Sequence, residues 1–272
     1  MNSDGTTPSN DDFSECYVAF LDMLGFKSLV ARAETGPAER VRLSEVLELM
    51  RDSLTQNPRL SLRFTYFSDC LILSIKRTAD GLMEAFESIN VLAFNLLQFD
   101  VLVRGGLVAG NAHHDEDFVY GTAVNRAFHL EHEVAQDPMI LVSKEVFADA
   151  TQCGCSHLAW LCTDPAERHF IHYLRWYAEY RHEPNYPGKV IMDEPAKRVI
   201  DFVLERLTSD TDRVLAKAQW LQAYWNETVA RNGVFERIEP GVTARYKSCC
   251  PTIIKRALIA TTPAVSHGAD IT

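Results

Sequence analysis

A short apolar segment that ends on a carboxylate is the feature that most constrains this chain. The run CYVAFL, residues 16–21, is followed at once by Asp22 and soon afterwards by Gly25. The run is too short for a helix and is bounded by a turn residue, so it predicts a buried central strand. Asp22 is therefore expected to project from the end of a strand inside an α/β fold.

A second carboxylate is predicted at the tip of a hairpin. Residues 60–67 alternate between apolar and polar, residues 70–75 form another apolar run, and Ser68-Asp69 lies between them. Neighbouring strands lie about 4.8 Å apart, so Asp22 and Asp69 could share two metal ions. Carboxylate oxygens favour Mg²⁺ or Mn²⁺. The backbone after Asp22, through Gly25 and Phe26, could cradle a triphosphate at the start of the next helix.

The remaining patterns predict an α+β sandwich. One helix, with its apolar face over 39–54, is expected between Gly25 and the hairpin. Further helices are expected over 80–99 (capped by Asp80) and 124–134, and strands over 101–109, from Val119 and over 139–142, which gives the order β-α-β-β-α-β-β-α-β. Residues 15–150 thus form a domain with helices on a mainly antiparallel sheet. Residues 1–14 are expected to be a flexible tail. Asn57-Pro58 is expected to end the 39–54 helix. Residues 151–272 form a partly helical extension that includes a turn at 185–188.

Composition narrows the function classes. With 27 basic and 37 acidic residues, the formal net charge is −10, which argues against sequence-independent nucleic-acid binding. The polar, acidic start has no signal-peptide pattern, and no apolar run approaches the ~20 residues of a membrane span. Seven cysteines are too few and too irregular for a disulfide scaffold. These features predict a cytoplasmic protein with free thiols and no membrane partner.

Four segments, taken in order, resemble the motifs of class III nucleotidyl cyclases. They are DMLGF (22–26), FSD (67–69), VRGGLVAG (103–110) and GTAVNRAFHLE (121–131). The resemblance covers roughly residues 15–150, about half of the chain. It implies a βααββαβ core and a head-to-tail homodimer with active sites at the subunit interface. In such a site Asp22 and Asp69, with the Met23 carbonyl, would hold two ions of Mn²⁺ or Mg²⁺, and Asn125 would orient the ribose from the partner subunit.

The chain departs from the family pattern at the transition-state and base-reading positions. His129 stands where the family has a transition-state arginine, with Arg126 as the other candidate for that role. Thr65 and Phe118 replace the lysine and aspartate that read adenine. This combination resembles the pyrimidine cyclases of bacterial Pycsar anti-phage systems, which implies conversion of UTP to cyclic UMP and a separate effector protein for that messenger. Cyclic CMP synthesis, ATP or GTP as substrate, and an inactive nucleotide-binding regulator remain alternatives.

Other patterns have simpler interpretations. The loop HHDED, residues 113–117, is expected to be solvated, because consecutive loop residues cannot all converge on one ion. The spacing of Cys153, Cys155, His157 and Cys162 does not fit a zinc site. The aromatic residues around 176–180, with Trp220 and Trp225, are expected in the core or at a dimer contact. The glycines beside Arg104 are expected to mark close packing, while Lys27 and Arg32 could either touch phosphate or be solvated.

Overall fold

The computed structural model describes residues 13–55, 62–179, 188–230, 233–239 and 247–248. Most of the predicted tail, the Asn57-Pro58 break, the start of the strand expected from residue 60, the turn at 185–187 and the chain end lie outside the described residues.

Nine strands and nine α-helices are found in the described part of the chain. The strands are β1 (Ser14–Leu24), β2 (Arg63–Phe67), β3 (Cys70–Lys76), β4 (Leu102–His114), β5 (Val119–Tyr120), β6 (Ile140–Val142), β7 (Leu161–Thr163), β8 (His169–Ile171) and β9 (Lys247–Ser248). The helices are α1 (Phe26–Thr35), α2 (Pro37–Thr55), α3 (Ala79–Leu97), α4 (Thr122–His129), α5 (Lys144–Cys153), α6 (Cys155–Leu158), α7 (Arg175–Glu179), α8 (Gly188–Arg206) and α9 (Asp212–Val229). A π-helical turn, Leu130–Val134, continues α4.

The sheet has the strand order β2-β3-β1-β4-β6-β8-β7-β9, with β5 paired to β4. Only the β4–β6 pairing is parallel among the described strands; the others are antiparallel. Strand β1 is central, with Asp22 opposite Cys70 of β3 on one side and opposite Arg104 of β4 on the other. The end of β1 and the starts of β3 and β4 therefore meet at one edge.

The two faces of the sheet are covered differently. Alternate residues of β1, such as Tyr17, Ala19 and Leu21, belong to the large hydrophobic core with the apolar sides of α2 and α3. The intervening residues face α4 in a second, smaller cluster that includes Val18 and Val108. Residues that are directly opposite each other in a sheet share a face, so Asp22, Cys70 and Arg104 all lie on this second face.

The predicted mainly antiparallel α/β fold is confirmed, and β1 through β4 follow the expected βααββαβ order. The capping prediction for Asp80 was wrong: the Thr78 hydroxyl accepts a hydrogen bond from the Gly81 N–H (3.0 Å) and caps α3. Thr78 is the cap because its extended backbone directs its side chain toward the first turn, whereas Asp80 already lies within the helix.

The C-terminal extension continues the sheet as well as adding helices. The proposed boundary at residue 150 falls inside α5, and β7, β8 and β9 extend the sheet beyond it. Tyr177 and Trp225 are fully buried, as expected for the aromatic clusters, whereas Trp176 is partly exposed and donates its indole N–H to Asn90 (2.8 Å). Among the described helices, none combines the length and apolarity that crossing a bilayer requires.

Candidate active site

Two carboxylates meet at the edge where β1 ends and β3 begins. A ligand atom from each of Asp22, Asp69 and Cys70 lies within 4.8 Å of the other two. The Met23 N–H donates to the backbone carbonyl of Asp69 (2.8 Å), which fixes the hairpin tip against the end of β1. The sequence prediction that Asp22 and Asp69 come together is thus met by the geometry. A metal-ligating role for the Met23 carbonyl stays a prediction.

Arg104 connects Asp22 to a buried glutamate. Its guanidinium pairs with Asp22 at 3.0 Å and also with Glu131, which is only 3% exposed. Burial raises the pKa of Glu131, and the like charge of Asp22 adds to this, while Arg104 opposes the shift. Both residues lie within the cyclase-like motifs; a functional role for Arg104 was left open, and Glu131 had none assigned. The signal was available in the register, because residue 104 lies opposite residue 22.

Lys27 is the second cation at the site. Its ammonium lies 3.0 Å from the Asp69 carboxylate. A contact between Lys27 and phosphate stays a prediction. Burial alone would raise the pKa of Asp69, but Lys27, the Asp69 N–H and the Ser68 hydroxyl together hold that pKa below its usual value. Asp69 is therefore ionised at neutral pH. Arg32, the other candidate cation, pairs instead with Glu39 (3.2 Å).

The Cys70 thiol does not belong to a hard-metal ligand set. Burial, with the negative charges of Asp69 and Asp22, raises its pKa to about 11. A thiol is also a soft ligand, whereas Mg²⁺ and Mn²⁺ prefer oxygen ligands. The ligand set that remains consists of two carboxylates, which suits Mg²⁺ or Mn²⁺.

The loop between β1 and α1 supplies backbone rather than side chains. Gly25 has φ 94°, a left-handed conformation that glycine adopts without strain, and it begins α1. Phe26 is buried in the core, so only its backbone can serve the predicted phosphate cradle. Ser68, in the hairpin turn, also has a left-handed φ of 57°. A non-glycine residue is uncommon in that conformation, so the hairpin tip is a specialised turn.

Helix α4 carries the predicted catalytic side chains on its exposed side. Asn125 and His129 are one helical turn apart and both exposed, while Ala123 and Ala127 pack inward. Arg126 is engaged elsewhere, since its guanidinium bonds the Ala109 carbonyl (3.0 Å) and Glu145 (2.7 Å). The structure therefore does not bring Arg126 to Asp22 and Asp69. The roles of Asn125 and His129 stay predictions.

Thr65, one of the two predicted base-reading positions, contacts His114, a residue of the segment that was expected to be a solvated loop. The Thr65 hydroxyl lies 2.9 Å from His114 Nε2, and the Ser74 hydroxyl lies 2.7 Å from His114 Nδ1. Phe118 lies on the turn that follows His114 and is 65% exposed. We call Thr65, His114 and Ser74 the hydroxyl–imidazole cluster. No sequence pattern announced it, because its members come from three strands.

The prediction of a solvated loop over 113–117 was wrong for its two histidines. His113 and His114 are the last residues of β4, pair with Tyr120 and Val119 of β5, and are half-buried. His113 also pairs with Asp115 (2.8 Å), at the start of the turn between the two strands. His157 lies 2.9 Å from the Ala79 carbonyl through Nε2. Within the ranges that the structure describes, the Asp22, Asp69 and Cys70 group is the one set of three candidate ligands found close together.

Charged residues of the site affect the pKa of a lysine in the C-terminal extension. Burial lowers the pKa of Lys217 in α9, and the positive charges of Arg213 and Arg104 lower it further. The Asp22 carboxylate acts in the opposite direction. The charges of Asp22 and Arg104 therefore both influence the pKa of Lys217.

The predicted close packing at the glycines beside Arg104 is confirmed. A Cβ added to Gly105 would lie 2.7 Å from the Phe20 carbonyl oxygen, and one added to Gly106 would lie 2.8 Å from the Ala127 carbonyl oxygen. Strand β4 thus needs glycine to let β1 and α4 approach it. Close packing of α4 is what positions Glu131 over Arg104.

Comparison with known proteins gives structural likeness at low identity. No family model and no curated protein matches the chain. The adenylyl cyclase CyaB from P. aeruginosa is 16% identical, with a TM-score of 0.43 over 58% of this chain and 92% of its own. An adenylate/guanylate cyclase/hydrolase from Silicibacter pomeroyi is 18% identical, with a TM-score of 0.40 over 58% and 95%. A bacterial light-regulated adenylyl cyclase is 12% identical, with a TM-score of 0.42 over 73% and 60%. All three scores are below 0.5, so the functional argument rests on the residues of the site.

Proposed function

We propose that this chain is a metal-dependent nucleotidyl cyclase that converts UTP to 3′,5′-cyclic UMP and pyrophosphate. The observation that carries the proposal is the meeting of Asp22 and Asp69, from two separate motifs, at one edge of the sheet. Arg104 and Lys27 pair with these two carboxylates, at 3.0 Å each, and hold them at that edge. By the resemblance to Pycsar cyclases, the product would act as an anti-phage messenger on a separate effector.

The residues present fit a pair of divalent ions. Asp22 and Asp69 offer carboxylate oxygens within 4.8 Å of each other. The Cys70 thiol beside them is a soft ligand, which these ions do not favour. Mn²⁺ or Mg²⁺ held there would favour loss of the ribose 3′-hydroxyl proton and offset the charge of the triphosphate. In the cyclisation, the 3′-oxygen forms a bond to the α-phosphorus. The bond from that phosphorus to the bridging oxygen breaks, and pyrophosphate leaves.

The chain's own side chains position the reacting groups. Arg104 holds Asp22 in place through a direct ion pair, and the Met23 N–H holds the hairpin that carries Asp69. Asn125 would orient the ribose from the exposed side of α4. His129 would stand in for the family's arginine, because Arg126 is occupied by Ala109 and Glu145. Loss of one charged donor to a transition state costs about 10²–10³ in rate, so turnover is expected to be slow.

The choice of a pyrimidine follows from the base-reading positions. Thr65 and Phe118 replace a lysine and an aspartate, so the pair that would read adenine is missing. The Thr65 hydroxyl offers a single short hydrogen-bonding group, which suits the smaller base. CTP is the second candidate, because the same hydroxyl can donate or accept.

The decisive test incubates the full chain with UTP, CTP, ATP or GTP separately, with Mn²⁺, and identifies products by mass spectrometry. Cyclic UMP with pyrophosphate is expected from UTP, and Asp69→Asn should abolish it. Asp52→Asn is the matched control, because Asp52 is an exposed aspartate that pairs with Arg51. Full activity of Asp69→Asn would sink the assignment of the two-carboxylate site.

We further propose that the enzyme is a homodimer with composite sites. Phe67, Phe118 and Phe128 are 78%, 65% and 45% exposed, and Phe128 packs on Phe20 of the second face. Phe67 lies opposite Cys70, so it belongs to that face as well. Several large exposed rings on one side of a sheet are typical of an interface. A second copy of this chain is the occupant that the head-to-tail resemblance implies.

Mixing two inactive variants tests the composite site. If Asp69 and Asn125 act from different subunits, Asp69→Asn and Asn125→Ala each lose activity alone. An equal mixture, after subunit exchange, should recover about one quarter of the wild-type rate, because one intact site forms in each mixed dimer. No recovery from a mixture shown to exchange subunits would place both residues in the same subunit's site.

The alternative of an inactive, nucleotide-binding regulator is favoured by one observation, the histidine at position 129. It predicts nucleotide binding without pyrophosphate release. The retention of both carboxylates at the site favours the enzyme, because binding alone does not require two metal ligands. Calorimetric titration with UTP, compared with pyrophosphate release under the same conditions, separates the two functions.

A further inference from the structure

We propose that the hydroxyl–imidazole cluster recognises the substrate's base through the Thr65 hydroxyl, with His114 as the positioning residue that sets whether this hydroxyl donates or accepts. The inference rests on the proposed function and extends it to the residue that distinguishes UTP from CTP. The juxtaposition that carries it is a single imidazole bonded to hydroxyls on both ring nitrogens.

The cluster lies on the same face of the sheet as the metal-binding edge. Thr65 is opposite Ile72, which is opposite Phe20, and Phe20 precedes Asp22 by two residues on β1. From the spacing of strands and residues, Thr65 is about 12 Å from Asp22 across this face. In the proposed dimer the face meets its counterpart, so Thr65 faces the base of a nucleotide held by the second copy.

The cluster is held rigidly. Ser74 is only 3% exposed, and its hydroxyl lies 2.7 Å from His114 Nδ1. On the far side of His114, the Asp115 carboxylate accepts hydrogen bonds from the N–H groups of Asp117 (2.8 Å) and Phe118 (2.7 Å). The turn that carries Phe118 is therefore fixed next to the cluster.

Burial lowers the pKa of His114, and the nearby charge of Arg63 lowers it further, so the ring is neutral at pH 7. A neutral imidazole has one nitrogen that donates and one that accepts. If Nε2 carries the proton, it donates to Thr65, and the Thr65 proton is free to bond a ligand acceptor. If Nδ1 carries the proton, Thr65 must donate to Nε2 and offers the ligand only lone pairs.

This dependence matches the difference between the two pyrimidines. Cytosine presents an amino donor at position 4, whereas uracil, like thymine, presents an oxygen acceptor there. A Thr65 hydroxyl whose polarity is set by His114 therefore favours one base over the other. We infer that the protonated Nε2 form, in which Thr65 donates, is the form that selects UTP.

The test measures kcat/KM for UTP and for CTP in the full-length chain and three variants. The wild type is expected to prefer UTP by about tenfold, the value of one neutral hydrogen bond. Thr65→Val keeps the shape and loses the hydroxyl, so kcat/KM for UTP should fall about tenfold while Thr65→Ser keeps it. His114→Phe keeps a planar ring but frees the hydroxyl to rotate, so the UTP:CTP ratio should fall toward one.

A merely structural role would lower both activities together and leave their ratio unchanged. Thr151→Val is the matched control, because the Thr151 hydroxyl also donates a hydrogen bond (to the Phe147 carbonyl, 2.8 Å) but lies on α5. A wild-type ratio near one, or a ratio that Thr65→Val and His114→Phe both leave intact, would overturn the inference with cyclase activity still present. The absence of cyclic product from the wild type would instead overturn the proposed function itself.

Discussion

Replacing Arg104 with alanine should destabilise the fold strongly, because it leaves a buried carboxylate without its partner. Glu131 is 3% exposed and the Arg104 side chain 14%, so water can reach neither group freely. Removing one member of a buried ion pair costs about 3–5 kcal/mol. At roughly 2–4 °C per kcal/mol for a chain near this size, Tm should fall by roughly 6–20 °C.

The assay is urea unfolding of the wild type and Arg104→Ala at pH 7, followed by circular dichroism. Arg32→Ala is the control, because Arg32 forms an exposed ion pair with Glu39 whose loss should cost less than about 1 kcal/mol. Adding Glu131→Leu to Arg104→Met should recover much of the loss, since the buried charge then disappears with its partner.

The loss of stability in Arg104→Ala should be smaller in mild acid than at pH 7. The pKa of Glu131 is raised by burial, and removing Arg104 takes away the charge that opposes this rise. A carboxyl with a raised folded pKa destabilises the fold above that pKa and is relieved as pH falls and it takes up a proton. The gap between wild type and Arg104→Ala should therefore narrow from pH 7 toward pH 5. A loss of less than about 1 kcal/mol of unfolding free energy in Arg104→Ala at pH 7 would refute the reasoning. Effects of Arg104→Met and Glu131→Leu that simply add in the double variant would refute it as well.

Three further predictions concern packing, acid stability and the thiol. Gly106→Ala should cost about 1–3 kcal/mol in urea unfolding, because its methyl would lie 2.7 Å from Leu130 Cβ; unchanged stability would contradict the close approach of α4. Asp149→Asn should destabilise the fold by about 1.5–3 kcal/mol at pH 7, because Asp149 accepts hydrogen bonds from Arg77 at 2.8 and 3.0 Å. Since Arg77 holds the pKa of Asp149 below its usual value, that difference is present above about pH 4 and should vanish as pH falls through the folded pKa; a constant difference down to pH 2 would argue against it. Cys70→Ser should keep most of the Mn²⁺-dependent turnover, because Mg²⁺ and Mn²⁺ prefer oxygen to sulfur ligands; loss of that turnover would restore Cys70 to the site.

Much of the fold could be read from local patterns. The run at 16–21, the hairpin around Ser68-Asp69 and the helical stripes each depend on neighbours in sequence, so most of the element order was accessible. The second of the two helices between β1 and β2 was implied by the cyclase resemblance and not by a local pattern. Helix ends and short strands were less accessible. The cap at Thr78 and the three-residue strands β7 and β8 depend on backbone geometry and on pairing with distant segments.

The sequence by itself determined which residue types were available for chemistry: two aspartates at strand ends, a short loop with Gly25 and a helix with Asn125 and His129. Only the tertiary structure decided which of them meet and what surrounds them. Strand register placed Arg104 opposite Asp22, and the packing of α4 on Gly106 brought Glu131 to the same guanidinium. Likewise, Thr65, Ser74 and His114 lie on three strands and form one cluster only when those strands align. Such contacts join residues up to 82 positions apart, and side-chain periodicity carries no information about partners at that separation.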